Sequence, residues 1–248
     1  SWMTAMSLLW QKTDRWKSPK FYGHIWVASK KYQENDATNA ASFYKSRLYF
    51  GILIFKKMSP RGLRTWIEID KKALEYNLKQ FLKLIPKRTR FMAVVKSNAY
   101  GHGLVLVARA LASSQLPAFS FQQRLWFGVD SIVEGLRLRR EGIKNPILVL
   151  GLTLPARMKE AAENKITLTI SNFESLLALA KLKNRPEFHL KIDTGMHRQG
   201  FMSHEIPKLI AALKRKKLIP IGIYTHFASA KDPADTAYTL FQFRQLQK

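Results

Sequence analysis

The chain has 248 residues, 46% of them hydrophobic, which is enough for one large domain or two modest ones with a buried core. It contains no cysteine, which excludes disulfide bonds and cysteine-ligated metal sites and fits a reducing, cytoplasmic location. The net charge of +25 raises nucleic acid or an anionic membrane as partners, but the basic residues are spread along predicted helices, as on solvated faces. We therefore expect no nucleic-acid partner, no membrane partner and no metal site.

Residues 1–57 differ from the rest of the chain. They hold four of the six tryptophans and show no sustained helical or strand periodicity. The early apolar run at 48–55 is too short to cross a bilayer, and the first ten residues lack the pattern of a secretory signal. We expect an unassigned basic, aromatic extension and hypothesise that it is translated upstream sequence, with Met58 as the natural start. The alternative is an arm that docks a partner or a membrane surface.

From Met58 onward the pattern becomes regular. A strand at 65–69 is followed by a helix capped by Asp70, with apolar residues at helical spacing. Further helices are predicted after a capping box of Ser171 and Glu174 and at 238–246. Another is predicted at 206–213, with one apolar face formed by Ile206, Leu209, Ile210 and Leu213. Short apolar strands alternate with these helices at 91–95, 126–129, 147–150, 167–170, 188–193 and 221–227.

Alternating strands and helices indicate an α/β protein with a parallel sheet. A closed (β/α)8 barrel needs eight strands and about 250 residues, whereas six strands are recognisable after Phe91. The sequence therefore predicts an incomplete TIM-type barrel over residues 58–248.

Chemically informative residues follow three of the predicted strands. Lys96 comes directly after strand 91–95 and is followed by Tyr100, Gly101 and Gly103, which suit a phosphate-sized pocket. This placement suggests a lysine that bonds to pyridoxal phosphate as a Schiff base. For His102, packing or capping is as compatible with the pattern as a cofactor role.

Two further stretches lie at later strand ends. Residues 190–200 read LKIDTGMHRQG and contain Lys191 and Arg198, and residues 222–228 read GIYTHFA and contain His226. A permanently charged, planar guanidinium suits contact with an anionic oxygen. The alternative readings are a strand-end lysine, a salt-bridged arginine and a core histidine.

Together these stretches identify a resemblance. AVVKSNAYGHG at 93–103, followed in order by the other two stretches, resembles the signatures of alanine racemases, two-domain pyridoxal-phosphate enzymes. The resemblance implies that Lys96 carries the cofactor and acts as a base on one face of the substrate, and that Tyr100 binds the cofactor phosphate. It further implies that Arg198 contacts the cofactor's phenolic oxygen, that Lys191 supports Arg198, in some members after carbamylation, and that His226 lies beside the cofactor ring.

The resemblance also implies what lies outside these 248 residues. Alanine racemases use a tyrosine from the C-terminal β domain of a partner subunit as the opposing base. We therefore expect this chain to be an inactive fragment of a homodimeric isomerase. The full-length enzyme would interconvert L-alanine and D-alanine, supplying D-alanine for peptidoglycan. The alternatives are an amino-acid racemase of broader specificity, a non-catalytic pyridoxal-phosphate-binding barrel protein, and, last, a basic nucleic-acid binder.

Overall fold

The structure is a computed structural model that describes residues 67–86, 89–114, 124–230, 232 and 236–248, and the backbone of 47–50. Most of the predicted extension, residues 1–46 and 51–57, lies outside the described residues. The chain divides into two compact units, Ser1–Phe127 with Arg140–Asn145, and Gly128–Arg139 with Pro146–Lys248.

The first elements that the structure describes in the first unit are an antiparallel pair of strands, β1 (Arg47–Phe50) and β2 (Ile67–Asp70). Strand β1 lies within the predicted extension, where the sequence shows no sustained strand periodicity, because pairing with a distant strand can create a strand that local periodicity does not reveal. Helix α1 (Lys71–Leu84) starts at Asp70, whose Oδ1 accepts from the backbone N–H groups of Lys72 and Ala73, which confirms the predicted cap. Strand β3 (Phe91–Val94), helix α2 (Leu104–Ala112) and strand β4 (Leu125–Val129) follow.

The second unit continues the alternation. Its elements in chain order are α3 (Ile132–Arg140), β5 (Ile147–Val149), α4 (Met158–Glu163), β6 (Thr167–Ile170), α5 (Phe173–Lys181), β7 (Phe188–Lys191), α6 (Ile206–Lys216), β8 (Gly222–Tyr224) and α7 (Thr236–Gln247). Short 3-10 turns at Pro155–Arg157 and Ser203–Glu205 precede α4 and α6.

Six strands form one sheet in the order β3-β4-β5-β6-β7-β8, so each strand neighbours the next one in sequence. The pairs β5–β6, β6–β7 and β7–β8 are parallel. Strand β5 is fully buried, as expected for strands covered on both faces. The predicted fold class is confirmed: the chain is an α/β protein with the strand order of an incomplete (β/α)8 barrel, six strands being present in the described residues.

The register of β6–β8 separates two faces. Thr169 pairs with His189, and Lys191 pairs with Tyr224, so these four side chains project to one face, which we call the polar face. The intervening residues, among them Leu168, Ile170 and Leu190, are buried on the opposite, apolar face. The polar face extends to the carboxyl ends of the strands, where barrels of this type hold their reactive groups.

Two details of the sequence prediction are wrong. The cap of α5 is Asn172 rather than Ser171: Asn172 is extended and its Oδ1 accepts from Ser175 N at 2.8 Å, while Ser171 Oγ bonds to Gln199. In α6, Leu209 is buried as predicted, but Ile210 is 46% exposed because the buried stripe of this helix is narrower than its apolar pattern. None of the helices that the structure describes has the length and apolar character needed to span a membrane.

Candidate active site

Lys96 lies in the first unit, two residues after the end of β3. Val95 between them is completely buried, and the side chain of Lys96 is half-buried. The lysine opens the segment Lys96–Tyr100, and Tyr100 closes it. One short segment therefore carries two of the residues to which the sequence assigns cofactor contacts, Lys96 and Tyr100.

This segment is a left-handed turn. Ser97, Asn98, Ala99 and Tyr100 all have φ between 53° and 55°, a conformation that costs roughly 1–2 kcal/mol for each residue with a Cβ atom. Four consecutive residues of this kind are uncommon outside glycine. Backbone strain of this sort is concentrated at functional sites, where the surrounding structure enforces it.

Local hydrogen bonds offset this strain. The carbonyl of Asn98 accepts from the N–H groups of Gly101 and Gly103, and Asn98 Oδ1 accepts from Leu104 N at 3.0 Å. The carbonyl of Ala99 accepts from both the backbone N–H and Nδ1 of His102. His102 thus has a capping contact, one of the two roles that the sequence leaves open.

Gly101 and Gly103 confirm the need for unusual torsions. Their φ angles are 90° and 92°, which non-glycine residues rarely adopt. A Cβ atom at Gly101 would meet nothing within 4 Å, so the backbone conformation rather than the space requires glycine there. The turn passes from Gly103 directly into α2.

The second unit holds a loop at residues 193–200, which we call the Asp193 loop. Asp193 is buried; its Oδ1 accepts from Gly195 N and His197 N, and its Oδ2 accepts from Arg198 N at 3.0 Å. Burial acts to raise the pKa of the Asp193 carboxyl, but the three backbone N–H groups, together with His197, outweigh burial and lower it. The carboxylate therefore stays charged and fixes the backbone of Arg198, whose side chain is exposed.

The base of the Asp193 loop is also closed by the backbone. Asp193 N donates to the Phe201 carbonyl, and Phe201 N donates to the Lys191 carbonyl, both at 2.9 Å. Gly200 has φ +139°, and a Cβ atom there would lie 2.5 Å from Asp193 N. Glycine is required at this position by both backbone conformation and space.

Lys191 is buried directly before this loop. Its Nζ donates to Gln199 Oε1 at 3.1 Å, and Gln199 Nε2 donates to Ser171 Oγ at 3.1 Å. Lys191 Nζ also lies 5.8 Å from the centre of the Tyr224 ring, within range of a cation–π contact. The side-chain amide of Gln199 therefore contacts Lys191. The sequence alone assigned no role to Gln199.

Tyr224 crosses the polar face and bonds to Thr169, with 2.8 Å between the two oxygens. Burial raises the pKa of the Tyr224 hydroxyl to about 12, although the bond to Thr169 and the charge of Arg198 act to lower it. The His189 ring packs beside it, edge to face, at a centroid distance of 6.3 Å. A Cβ atom at Gly222 would lie 2.5 Å from the His189 ring, so any larger residue there would force this ring to shift.

His226 follows β8 and is half-buried. Its backbone carbonyl accepts from Gln242 Nε2 at 3.2 Å. The structure therefore gathers Lys191, Arg198 and His226 in the second unit, and Lys96 and Tyr100 in the first. Asp193, Gln199 and Tyr224 lie within the two later stretches, but the sequence assigned them no role. Gln242 lies outside all three stretches and was missed.

Comparison with known proteins places this geometry in a family. The family described as "Alanine racemase, N-terminal domain" matches residues 69–248. The chain belongs to the alanine racemase family. All five residues singled out by the sequence, Lys96, Tyr100, Lys191, Arg198 and His226, fall within the matched range.

Individual relatives agree. The chain is 40% identical over 184 residues to an alanine racemase of Geobacillus stearothermophilus, covering 72% of this chain and 45% of the relative. The crystal structure of alanine racemase from E. faecalis matches with a TM-score of 0.63 at 30% identity, covering 72% of this chain and 48% of that one. A histidine racemase from Leuconostoc mesenteroides subsp. sake matches with a TM-score of 0.60 at 31% identity, covering 72% and 47%. The chain spans about half the length of the curated racemases it matches.

Proposed function

We propose that residues 58–248 are the N-terminal barrel part of an alanine racemase that interconverts L-alanine and D-alanine with pyridoxal phosphate. Lys96 is the residue that holds the cofactor covalently through Nζ. The observation that carries this proposal is the strained left-handed turn that places Lys96 and Tyr100 at its two ends, directly after β3, in a member of this family. Residues 1–57 lie outside this assignment as an extension with no part in catalysis.

The side chains present fit the proposed cofactor. Lys96 supplies an amine for its aldehyde, Tyr100 a hydroxyl for its phosphate, and Arg198 a guanidinium for its phenolic oxygen. When bound, pyridoxal phosphate stabilises the carbanion that alanine leaves on losing its α-proton.

The chain's own residues then have separate tasks. Lys96 Nζ would act as a base on one face of the substrate only after the amino group of the substrate has displaced it from the cofactor; it would then remove and return a proton there. Arg198 stays cationic next to a backbone that the Asp193 carboxylate holds in place. Lys191 donates to Gln199, a residue of the Asp193 loop, and His226 is a supporting residue after β8.

Racemisation requires a second base on the opposite face, which the resemblance assigns to a tyrosine of the partner subunit's C-terminal domain. We therefore propose that the full-length protein acts as a cytoplasmic homodimer that supplies D-alanine for peptidoglycan. These 248 residues by themselves have negligible racemase activity.

A labelling experiment tests the cofactor assignment. The chain is titrated with pyridoxal phosphate, reduced with borohydride and digested, and the pyridoxyl group is located by mass spectrometry. We expect one modified lysine, Lys96, and no modification in Lys96→Ala. Lys71→Ala is the matched control, because Lys71 is a half-buried lysine of the same unit and lies on helix α1. Labelling spread over several lysines, or labelling of another lysine alone, would refute the assignment.

Activity assays test the rest of the proposal. Full-length protein should restore growth of a bacterial strain that requires D-alanine, and Lys96→Ala should not. The 248 residues alone should release no D-alanine from L-alanine above the blank. Turnover by these residues that disappears in Lys96→Ala would show that they contain both bases.

A racemase of broader specificity is the second candidate. It is favoured by the match to a histidine racemase at a TM-score of 0.60, close to the value for an alanine racemase. A panel of L-amino acids, followed by loss of optical rotation in the full-length protein, separates the two candidates. Alanine should be turned over fastest if the first candidate holds.

A further inference from the structure

Gln242 is an unusual residue for its position. It lies in helix α7 and is 0% exposed, while its apolar neighbours Leu240 and Phe241 are each 46% exposed. The helix therefore turns an amide, rather than an apolar side chain, toward the rest of its unit. Burying an amide is unfavourable unless its donors and acceptor are bonded, so the contacts of Gln242 show what this helix holds.

The Gln242 amide joins two separate segments. Its Nε2 donates to Thr194 Oγ1 at 3.4 Å and to the His226 carbonyl at 3.2 Å, and its Oε1 accepts from Ala228 N at 2.8 Å. Thr194 belongs to the Asp193 loop, whereas His226 and Ala228 follow β8. A second bond joins the same segments directly, because Thr194 Oγ1 lies 2.8 Å from Thr225 Oγ1.

Tyr238 adds a contact one helical turn earlier on the same face of α7. Its hydroxyl donates to the Gly195 carbonyl at 2.7 Å. Gly195 has φ +138°, and a Cβ atom there would lie 2.8 Å from Tyr238 Oη and 3.4 Å from Gln242 Cγ. The Asp193 loop thus packs its backbone directly against α7.

We propose that Gln242 is a positioning residue that sets the spacing between the Asp193 loop, which carries Arg198, and the segment 225–228, which carries His226. An amide suits this task because its two N–H groups and its carbonyl point in fixed directions toward both segments. Loosening Gln242 would free the two segments together, whereas an apolar side chain of the same size would fill the space without fixing either of them. The consequence for cofactor binding rests on the proposed function; the spacing itself does not.

Hydrogen exchange of the chain without cofactor tests the spacing. Gln242→Met keeps the length of the side chain and removes all three hydrogen bonds, and Gln247→Met makes the same change at an exposed position of the same helix. In Gln242→Met we expect roughly tenfold faster exchange in peptides covering 193–200 and 225–230, with exchange at 147–170 unchanged. Gln247→Met should exchange as the native chain does.

Thr194→Val approaches the same contact from the loop. It removes the hydroxyl that bonds to Gln242 and Thr225, and we expect faster exchange at 193–200 and 225–230 here as well. Unchanged exchange of both segments in Gln242→Met, or faster exchange throughout the second unit in both variants, would overturn the proposal.

Cofactor titration supplies the functional readout. If the native chain binds pyridoxal phosphate, Gln242→Met should raise its dissociation constant roughly tenfold while Gln247→Met leaves it unchanged. A native chain that does not bind the cofactor would count against the proposed function, whereas the exchange result would still decide the role of Gln242. Equal affinity in the native chain and Gln242→Met, despite faster exchange, would overturn the consequence for cofactor binding, while the faster exchange would support the role of Gln242 in spacing the two segments.

Discussion

The left-handed turn at Lys96–Tyr100 and the Asp193 loop both end a strand and both carry residues assigned to the cofactor, but they are stabilised differently. The turn adopts an unfavourable backbone and offsets its cost through bonds within residues 98–104. The loop is held by a buried carboxylate and by a helix more than forty residues further along the chain. The comparison shows that a segment of the site is stabilised either by hydrogen bonds between neighbouring residues or by contacts between residues that are far apart in the sequence.

The largest expected effect concerns the carboxylate of the loop. Asp193→Ala leaves three N–H groups without their acceptor, and hydrogen bonds to a charged group are each worth more than those between neutral groups. We expect a loss of about 3 kcal/mol in the free energy of unfolding, measured by urea denaturation.

Asp193→Asn is the graded control for this prediction. Because the pKa of Asp193 is lowered in the folded chain, its charge stabilises the fold above the ordinary pKa of about 3.9, and this part is lost as the pH falls through the folded value. Asp193→Asn should lack this acid-side loss. A loss below about 1 kcal/mol in Asp193→Ala would mean that the loop does not depend on its carboxylate.

The second effect concerns the polar face beneath the loop. The pKa of Tyr224 is about 12, above the unfolded value of about 10, so folding favours the neutral hydroxyl. Its contribution is fully present below pH 10 and declines as the pH rises toward 12, by about 2–3 kcal/mol in total. Tyr224→Phe should remove this part of the alkaline decline, as followed by unfolding at pH 9, 10 and 11, whereas Tyr76→Phe, at an exposed tyrosine, should not. An identical alkaline decline in Tyr224→Phe and the native chain would contradict the assignment.

The third effect tests the strain of the left-handed turn. Asn98→Ala removes the bond to Leu104 N and places alanine at φ 55°, so we expect a loss of about 2 kcal/mol in stability. Asn98→Gly loses the same bond but has no Cβ atom, and should be less destabilising than Asn98→Ala.

The matched control lies in an ordinary helix. At exposed Arg137 of α3, glycine should be worse than alanine by about 1 kcal/mol, the reverse of the order expected at Asn98. If glycine is also worse than alanine at Asn98, the turn is not left-handed in solution.

The smallest effect lies within the loop, where His197 has φ 52° and an exposed side chain. His197→Gly relieves the backbone and should stabilise the chain by about 0.5–1 kcal/mol in thermal unfolding. His204→Gly, at an exposed histidine of the 3-10 turn Ser203–Glu205, should destabilise it instead. Equal changes at both histidines would remove the distinction between a strained and an unstrained position.

The sequence predicted the strands and helices more accurately than the helix caps and the side-chain contacts. The six strands after Phe91 and the Asp70 cap are confirmed, because alternating apolar runs and a cap before an apolar stripe are local signals. The Ser171 cap is wrong by one residue, because Ser171 Oγ is engaged by Gln199 from another segment. Strand β1 was missed because its pairing partner, β2, lies seventeen or more residues away.

The residues around the site divide in the same way. Three sequence motifs singled out Lys96, Tyr100, Lys191, Arg198 and His226. The roles of these residues toward a cofactor stay predictions. Tyr224 lies within the third motif but was given no role, and Gln242 lies outside all three, since a tyrosine in a strand and a glutamine in a helix are ordinary residues until their partners are known. Gly101 and Gly103 indicated unusual backbone torsions at their own positions. They did not indicate that the four residues before Gly101 would also adopt the left-handed conformation.

The sequence by itself determined the alternation of strands and helices, the family and the order of the reactive side chains. Hydrophobic periodicity and sequence motifs suffice for this because they are properties of neighbouring residues. Only the tertiary structure decided which polar groups are paired away from solvent and what they hold: buried Asp193 holds the backbone of its loop, half-buried Tyr224 bonds to Thr169, and buried Gln242 joins two segments. The physical reason is that a buried hydrogen bond depends on direction and distance between residues far apart in the chain, and these are fixed only when the strands and helices pack.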